Sequence, residues 1–161
     1  MAKDGTAPDE AALELLRSRS GLSIDGEGRF LHRGEPITHA RTLEVLWRSL
    51  GPGPAGRWTV TIGREQGYVE VDETPWVVRA VDLRGDGVTL RLADGAEEPL
   101  DPRTLSVAPD GVLRCRVRGG QRARFSRGAH IALGFALEEA PAGTGWVLTV
   151  GGRRWPVPDE R

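Results

Sequence analysis

Glycine interrupts this chain every few residues. The 161 positions hold 22 glycines and 11 prolines, which fall mostly between short apolar runs. Both residues set turn conformations that others adopt poorly. Runs such as Arg57 to Ile62 alternate apolar and polar residues at a period of two. That alternation places one side of a strand against a core and the other in water. A chain punctuated in this way is committed to short strands and tight turns.

Three segments depart from the strand pattern. The first spans residues 9–17, where Ala11, Leu15 and Leu16 form an apolar stripe at helical spacing. The second spans residues 39–50, with Thr38 as N-cap and Leu43, Leu46, Trp47 and Leu50 as the buried face. The third spans about 129–139 and carries Ile131, Phe135 and Leu137.

Strands are expected on both sides of Asp25–Gly28, then at Arg57–Ile62, Tyr68–Val71, Trp76–Leu83 and Val88–Leu92. Further strands are expected at Val112–Arg118, Arg122–Phe125, Gly145–Val150 and Arg153–Val157. The order strand–strand–helix–strand–strand occurs twice, and Gly26 and Gly34 have the same spacing as Gly120 and Gly128. The expected fold is therefore α+β and β-rich: two similar strand–strand–helix–strand–strand units with a small antiparallel sheet between them. The expected division is an N-terminal arm and short helix at 1–21, a first αβ unit with the inserted sheet at 22–107, and a second αβ unit at 108–161.

A chain of this length buries about two-thirds of its unfolded surface, enough for a core without metals or disulfides. Cys115 is the one cysteine, so no internal disulfide forms. The formal charge of −1 offers no general attraction to nucleic acid or anionic lipid. The charge is unevenly placed. Residues 65–110 hold 11 acidic against 4 basic residues, and residues 111–161 hold 9 basic against 4 acidic. Such blocks attract each other within one fold or between two copies. No segment reads as a signal peptide or a membrane span, and a cytoplasmic location is expected.

Several segments resemble an uncharacterised bacterial family, domain of unknown function 1285. They are Ile24-Asp25-Gly26 with Arg33-Gly34-Glu35-Pro36-Ile37, Val71-Asp72-Glu73-Thr74-Pro75-Trp76-Val77, Ala123-Arg124-Phe125-Ser126-Arg127, and the hairpin from Gly145 to Trp155. The resemblance runs from about Leu22 to Pro156, with Thr74 and Trp76 where the family pattern has a small residue and a phenylalanine. It implies a repeated αβ fold and a part in ligand sensing or signal transduction. It supplies no catalytic residues.

The candidate chemistry is sparse. Arg114, Arg116 and Arg118 alternate on one expected strand, and Arg122, Arg124 and Arg127 follow the Gly119-Gly120 turn. Guanidinium groups in a row suit bidentate contact with phosphate or carboxylate. Glu70 and Asp72 lie two apart on a strand, a spacing that lets two carboxylates share a proton or hold a cation. His32, His39 and His130 lack metal-ligand spacing, and no metal or cofactor is expected. Cys115 reads as a core residue on the face of Val117, and the five tryptophans read as core or pocket lining. No phosphate-binding glycine loop or nucleophile elbow occurs.

These features describe a non-enzymatic binding or sensor module. Its expected site is Arg116, Arg118, Arg122 and Arg124, facing a small anionic ligand or an acidic protein surface. Nucleic acid and membrane partners are not expected. Two alternatives stand beside it. One is a hydrolase-like enzyme with its carboxylate site near Glu70 and Asp72. The other is a self-associating structural protein joined through the acidic middle and the basic hairpin.

Overall fold

The computed structural model describes residues 10–16 and 21–160. They form two compact units. The first comprises the described residues up to Asp25 together with Arg29–Asp72, and the second comprises Gly26–Gly28 and the chain from Glu73 onwards. The expected arm at 1–8 lies outside the described residues.

In the first unit, helix α1 covers residues 10–16. Strands β1 (Leu22–Ile24), β2 (Phe30–His32) and β3 (Glu35–Pro36) precede helix α2 (Ala40–Ser49), and β4 (Leu50–Pro52), β5 (Trp58–Ile62) and β6 (Glu65–Val71) follow it. The six strands make one sheet in the order β3-β2-β1-β6-β5-β4. Every pair is antiparallel except β1 with β6, where Ser23 faces Glu70 and Ile24 faces Val71. Apolar residues from the strands and both helices meet in one core built on Leu22, Ile24, Phe30, Leu46 and Val60. Phe30 meets the edge of the Trp47 ring at a centroid distance of 4.7 Å.

Both helices in this unit are set slightly out of the expected phase. In α1 the buried residues are Ala12 and Leu16, while Ala11 is exposed. In α2 the N-cap is His39 and not Thr38, and its Nδ1 accepts from the Thr42 N–H at 3.3 Å. An imidazole nitrogen does here what a hydroxyl oxygen does at most N-caps. The buried residues of α2 are Thr42, Val45 and Leu46, with Leu43, Trp47 and Leu50 packed at the flank.

In the second unit, β7 (Val77–Arg84), β8 (Gly87–Leu92), β9 (Glu97–Pro99), β10 (Ser106–Val107), β11 (Leu113–Val117) and β12 (Gln121–Phe125) form a sheet. Its order is β10-β11-β12-β7-β8-β9. Helix α3 (Arg127–Gly134) then leads into a three-stranded antiparallel sheet of β13 (Leu137–Glu139), β14 (Trp146–Val150) and β15 (Arg153–Val157). The small antiparallel ribbon expected between the units is β7-β8-β9. It joins β12 along a parallel seam, where Arg124 faces Val77 and Phe125 faces Val78. The expected boundary after residue 107 falls between β10 and β11, which pair with each other.

The repeated order is present as β1-β2-α2-β5-β6 and β11-β12-α3-β14-β15. Each six-stranded sheet is also two antiparallel three-strand ribbons joined by one parallel pair. The matched glycines do not serve one purpose. Gly34 takes φ +84° in a turn, whereas Gly128 sits inside α3.

α3 is shorter than expected and begins earlier. Ser126 caps it, its Oγ accepting from the Ala129 N–H at 3.2 Å. It ends at Gly134, so Leu137 belongs to β13 and Phe135 is 88% exposed. An apolar run such as Ile131–Leu137 satisfies helix and strand periods alike, and pairing of Leu137 with Leu148 decides for the strand. Among the described residues no helix is long and apolar enough to cross a membrane.

Replacing Phe30 by Ala is expected to lower unfolding free energy by about 3–5 kcal/mol, read from urea denaturation. In the same assay His39→Ala is expected to cost about 1 kcal/mol, and Thr38→Ala close to nothing, because the cap is the imidazole.

Candidate functional site

Hairpin β11–β12 sets Arg114 directly across from Arg124, and Arg116 across from Arg122. Cations facing one another across a strand pair repel. The second unit answers them with its own carboxylates. Arg114 is 3% exposed, and its Nε and Nη2 each donate to Glu73 at 2.7 Å. Its Nη2 also reaches Asp110 at 2.9 Å. Arg122 donates a bidentate pair to Glu160 at 2.9 Å and a further bond to Glu73 at 3.1 Å. Ser106 Oγ donates to the same Glu160 at 3.0 Å.

The charges respond accordingly. Hydrogen bonds from Arg114 hold Glu73 and Asp110 below their ordinary carboxylate values, against burial, which works the other way. Arg122 does the same to Glu160, and Glu160 in turn raises the pKa of Arg122. Burial opposes the charge on Arg114, but the bonds from Glu73 and Asp110 outweigh it and raise its pKa.

The expected arginine site is thus distributed. Arg122 lies in the network just described. The Arg118 guanidinium pairs with Asp94 and lies over the Trp76 ring, 4.3 Å from its centroid. Its backbone N–H donates to Glu98 at 3.0 Å. Arg116 is exposed, with Nη1 3.4 Å from the Gly120 carbonyl oxygen, and Arg124 is half-buried. The expected site did not include Arg114, although it was read as part of the arginine row, nor the carboxylates Glu73, Asp110 and Glu160. The signal for Arg114, Glu73 and Asp110 was the opposition between an acidic middle and a basic end, and Glu160, inside the basic end, had none.

Glu70 and Asp72 belong to the first unit. Glu70 accepts from Arg57 at 3.3 Å and its side chain is 81% exposed. Arg57 stacks 3.7 Å above the Tyr68 ring, and the three residues border a shallow groove of about 400 Å³. Asp72 lies just past the end of β6, exposed, with its N–H donated to the Ile24 carbonyl oxygen. Cys115 is buried, and burial together with the nearby Glu98 charge pushes its thiol up to about 12. It is a protonated core side chain at neutral pH.

The second unit also contains a cleft that the sequence did not reveal. His130 and Gly134 of α3, Leu113 of β11, Val107 of β10, Leu137 of β13 and Trp146 of β14 enclose about 200 Å³. Its walls are mainly apolar. His130 Nδ1 accepts from the Leu113 N–H at 3.3 Å, so the neutral ring carries its proton on Nε2. Trp146 is 40% exposed at the rim. Five elements spread along the chain build this cleft, which is why no local motif announces it.

No protein-family model matches the chain, and no curated protein matches it. Two solved structures share its fold. A DUF1285 family protein from Silicibacter pomeroyi DSS-3 superposes with a TM-score of 0.62 at 19% identity, over 85% of this chain and 79% of that one. A DUF1285 family protein from Shewanella baltica OS155 gives a TM-score of 0.52 at 12% identity, over 69% of this chain and 87% of that one. The repeated αβ fold implied by the resemblance is the fold this chain has.

Glu73, Asp110 and Glu160 all titrate lower when folded, so the folded chain binds protons less readily than the unfolded one. Their contribution is complete above the ordinary values of 4.5 for Glu and 3.8 for Asp, and fades as pH falls through the lowered folded values. The urea midpoint is expected to drop on acidification below about pH 4. Glu73→Gln leaves Arg114 with Asp110 as its one carboxylate, beside the Val112 and Leu113 carbonyl oxygens. It is expected to cost about 1–3 kcal/mol at neutral pH, because Arg114 is buried while Glu73 is exposed and the amide oxygen still accepts, and to make the remaining acid dependence shallower.

Proposed function

We propose that the second unit is a non-catalytic binding module that seats one compact apolar group, an aromatic ring or a branched aliphatic chain, in the cleft beside His130 and Trp146. The observation that carries this reading is a large, partly exposed aromatic at the rim of an apolar concavity with one polar group in its wall. Binding sites commonly combine apolar lining with a few placed polar atoms. A volume of about 200 Å³ suits a single ring or side chain, below the usual range for drug-sized ligands of about 300–1,000 Å³.

The competing anionic reading has a cost that the cleft does not. An anion meeting Arg122 must displace Glu160 and Glu73, which already occupy its donors. Filling the cleft displaces no charged partner. The titratable groups nearby favour binding over chemistry. The Cys115 thiol is kept protonated, and the carboxylates of the network are kept ionised by arginine.

A sensing role has a physical route here. The imidazole lining the cleft holds the Leu113 N–H, and Leu113 adjoins Arg114 on β11. A ligand that moves His130 therefore acts on the strand that carries the buried arginine.

The test is ligand-observed NMR with indole, phenyl and isobutyl fragments, on the parent chain and on Gly134→Leu. An added Cβ at Gly134 meets nothing within 4 Å, so the new side chain enters open space beside the cleft. Affinity is expected to fall about tenfold or more in the variant, equivalent to about 1.4 kcal/mol, with no loss of thermal stability. Equal binding by both proteins overturns the assignment.

A further inference from the structure

We infer that the apolar group is supplied by a second copy of this chain, with α3 pairing antiparallel to its symmetry mate and Phe135 entering the partner's cleft. This inference rests on the cleft reading above and names its occupant.

The outward side of α3 is unlike an ordinary solvated helix face. Ala129 and Leu133 point into the core. At 100° per residue, Arg127, Ile131 and Phe135 then fall on the opposite side in one row. Ile131 is 52% exposed and Phe135 is 88% exposed. The neighbouring row holds His130 and Gly134, which line the cleft. An exposed aromatic knob and an apolar hole therefore lie side by side on one surface. Large apolar side chains exposed beside an apolar concavity are a mark of an interface.

A knob adjacent to its own matching hole is the arrangement a two-fold interface requires. In an isologous pair, residue i meets j while j meets i, so each Phe135 fills the other copy's cleft. A head-to-tail contact with the same parts would leave one knob and one hole unfilled.

Charge selects the antiparallel direction. Arg127 is exposed at the first turn of α3, and Glu138 and Glu139 are exposed just beyond its last turn, on β13. Glu139 lies across from Trp146 on the neighbouring strand, at the cleft rim. Antiparallel helices bring Arg127 of each copy to the acidic end of the other, whereas parallel helices bring like charges together. Added Cβ atoms at Gly128 and Gly134 meet nothing within 4 Å, so the space above the helix is open to a close approach. The acidic middle and basic hairpin, expected from sequence to join two copies, are paired within one chain by Glu73, Asp94 and Asp110, and Glu160 of the C-terminal segment takes Arg122 as well. Self-association therefore falls to the apolar face.

The experiment is mass by light scattering during gel filtration, on the full chain, across a concentration series. The parent is expected to reach the dimer mass. Phe135→Ser is expected to remain a monomer with an unchanged circular dichroism spectrum, and to bind phenyl fragments more tightly than the parent because no Phe135 competes. Arg127→Glu is expected to weaken the dimer, and adding Glu138→Arg and Glu139→Arg to that chain is expected to restore it. That rescue is a result that non-specific stickiness does not give. A monomeric parent at every concentration, or a dimeric Phe135→Ser protein, overturns the inference. If the parent is monomeric while fragment binding is still lost in Gly134→Leu, the second copy is wrong and the cleft assignment stands. If fragment binding is unaffected by Gly134→Leu as well, both fall.

Discussion

A guanidinium group taken almost wholly out of water, with two carboxylates fastened to it, sets the terms for the second unit. Arg114 sits at 3% exposure on the strand next to the parallel seam. A bare charge there costs several kcal/mol, and attraction offsets it only when geometry and hydrogen bonding are good. Glu73 supplies that geometry from the segment leading into β7, and Asp110 from the turn before β11. The ion pairs therefore tie the approach to β7 to the hairpin that β7 must join. The seam needs such a tie, because β7 and β12 pair in parallel and meet only after β8 to β11 have intervened. Shorter contacts reinforce the same junction. Thr74 Oγ donates to the Arg122 carbonyl oxygen at 2.7 Å, and Trp76 Nε1 donates to Gln121 at 2.6 Å.

This arrangement gives the uneven charge of the sequence a meaning different from recognition. Alternating arginines on a hairpin look like a surface for an acidic partner, because alternation usually sends every second side chain to water. Here the alternation divides the arginines by partner instead. Arg114 is buried under Glu73, Arg122 bridges Glu73 and Glu160, and Arg118 lies between Trp76 and Asp94. Arg116 is left on the exposed side. Glu73, Asp94 and Asp110 of the middle segment, with Glu160 from the C-terminal segment itself, are the partners these arginines meet.

Local chemistry was legible and long-range assembly was not. Period-two runs bounded by glycine identified the hairpins β1–β2, β7–β8, β11–β12 and β14–β15, because strand faces and turn residues are recorded within a few positions. The helices were legible as elements but not in phase. His39 does a hydroxyl's work at the cap of α2, and Gly134 ends α3 inside a run whose apolar spacing fits a longer helix. Tertiary pairing settled that second case, with Leu137 facing Leu148 across β13 and β14. The cleft as an assembly had no sequence signal. Val107, Leu113, His130 and Trp146 are scattered over 40 positions, and of these only Trp146, as one of five tryptophans, was read as core or pocket lining.

The early end of α3 is also what creates the recognition surface. Had the helix run on to residue 139, Ile131, Phe135 and Leu137 would have followed a helical course and no cleft wall would stand beside them. Ending at Gly134 turns the chain at once into β13, which puts Leu137 into the wall of the cleft and leaves Phe135 outside it. Gly134 adds no side chain to the opening it borders. In this chain the same glycine keeps the cleft empty and separates the residue that lines it from the residue that stands free. One backbone decision, made by a three-residue strand pairing, thus produces both halves of a self-complementary surface.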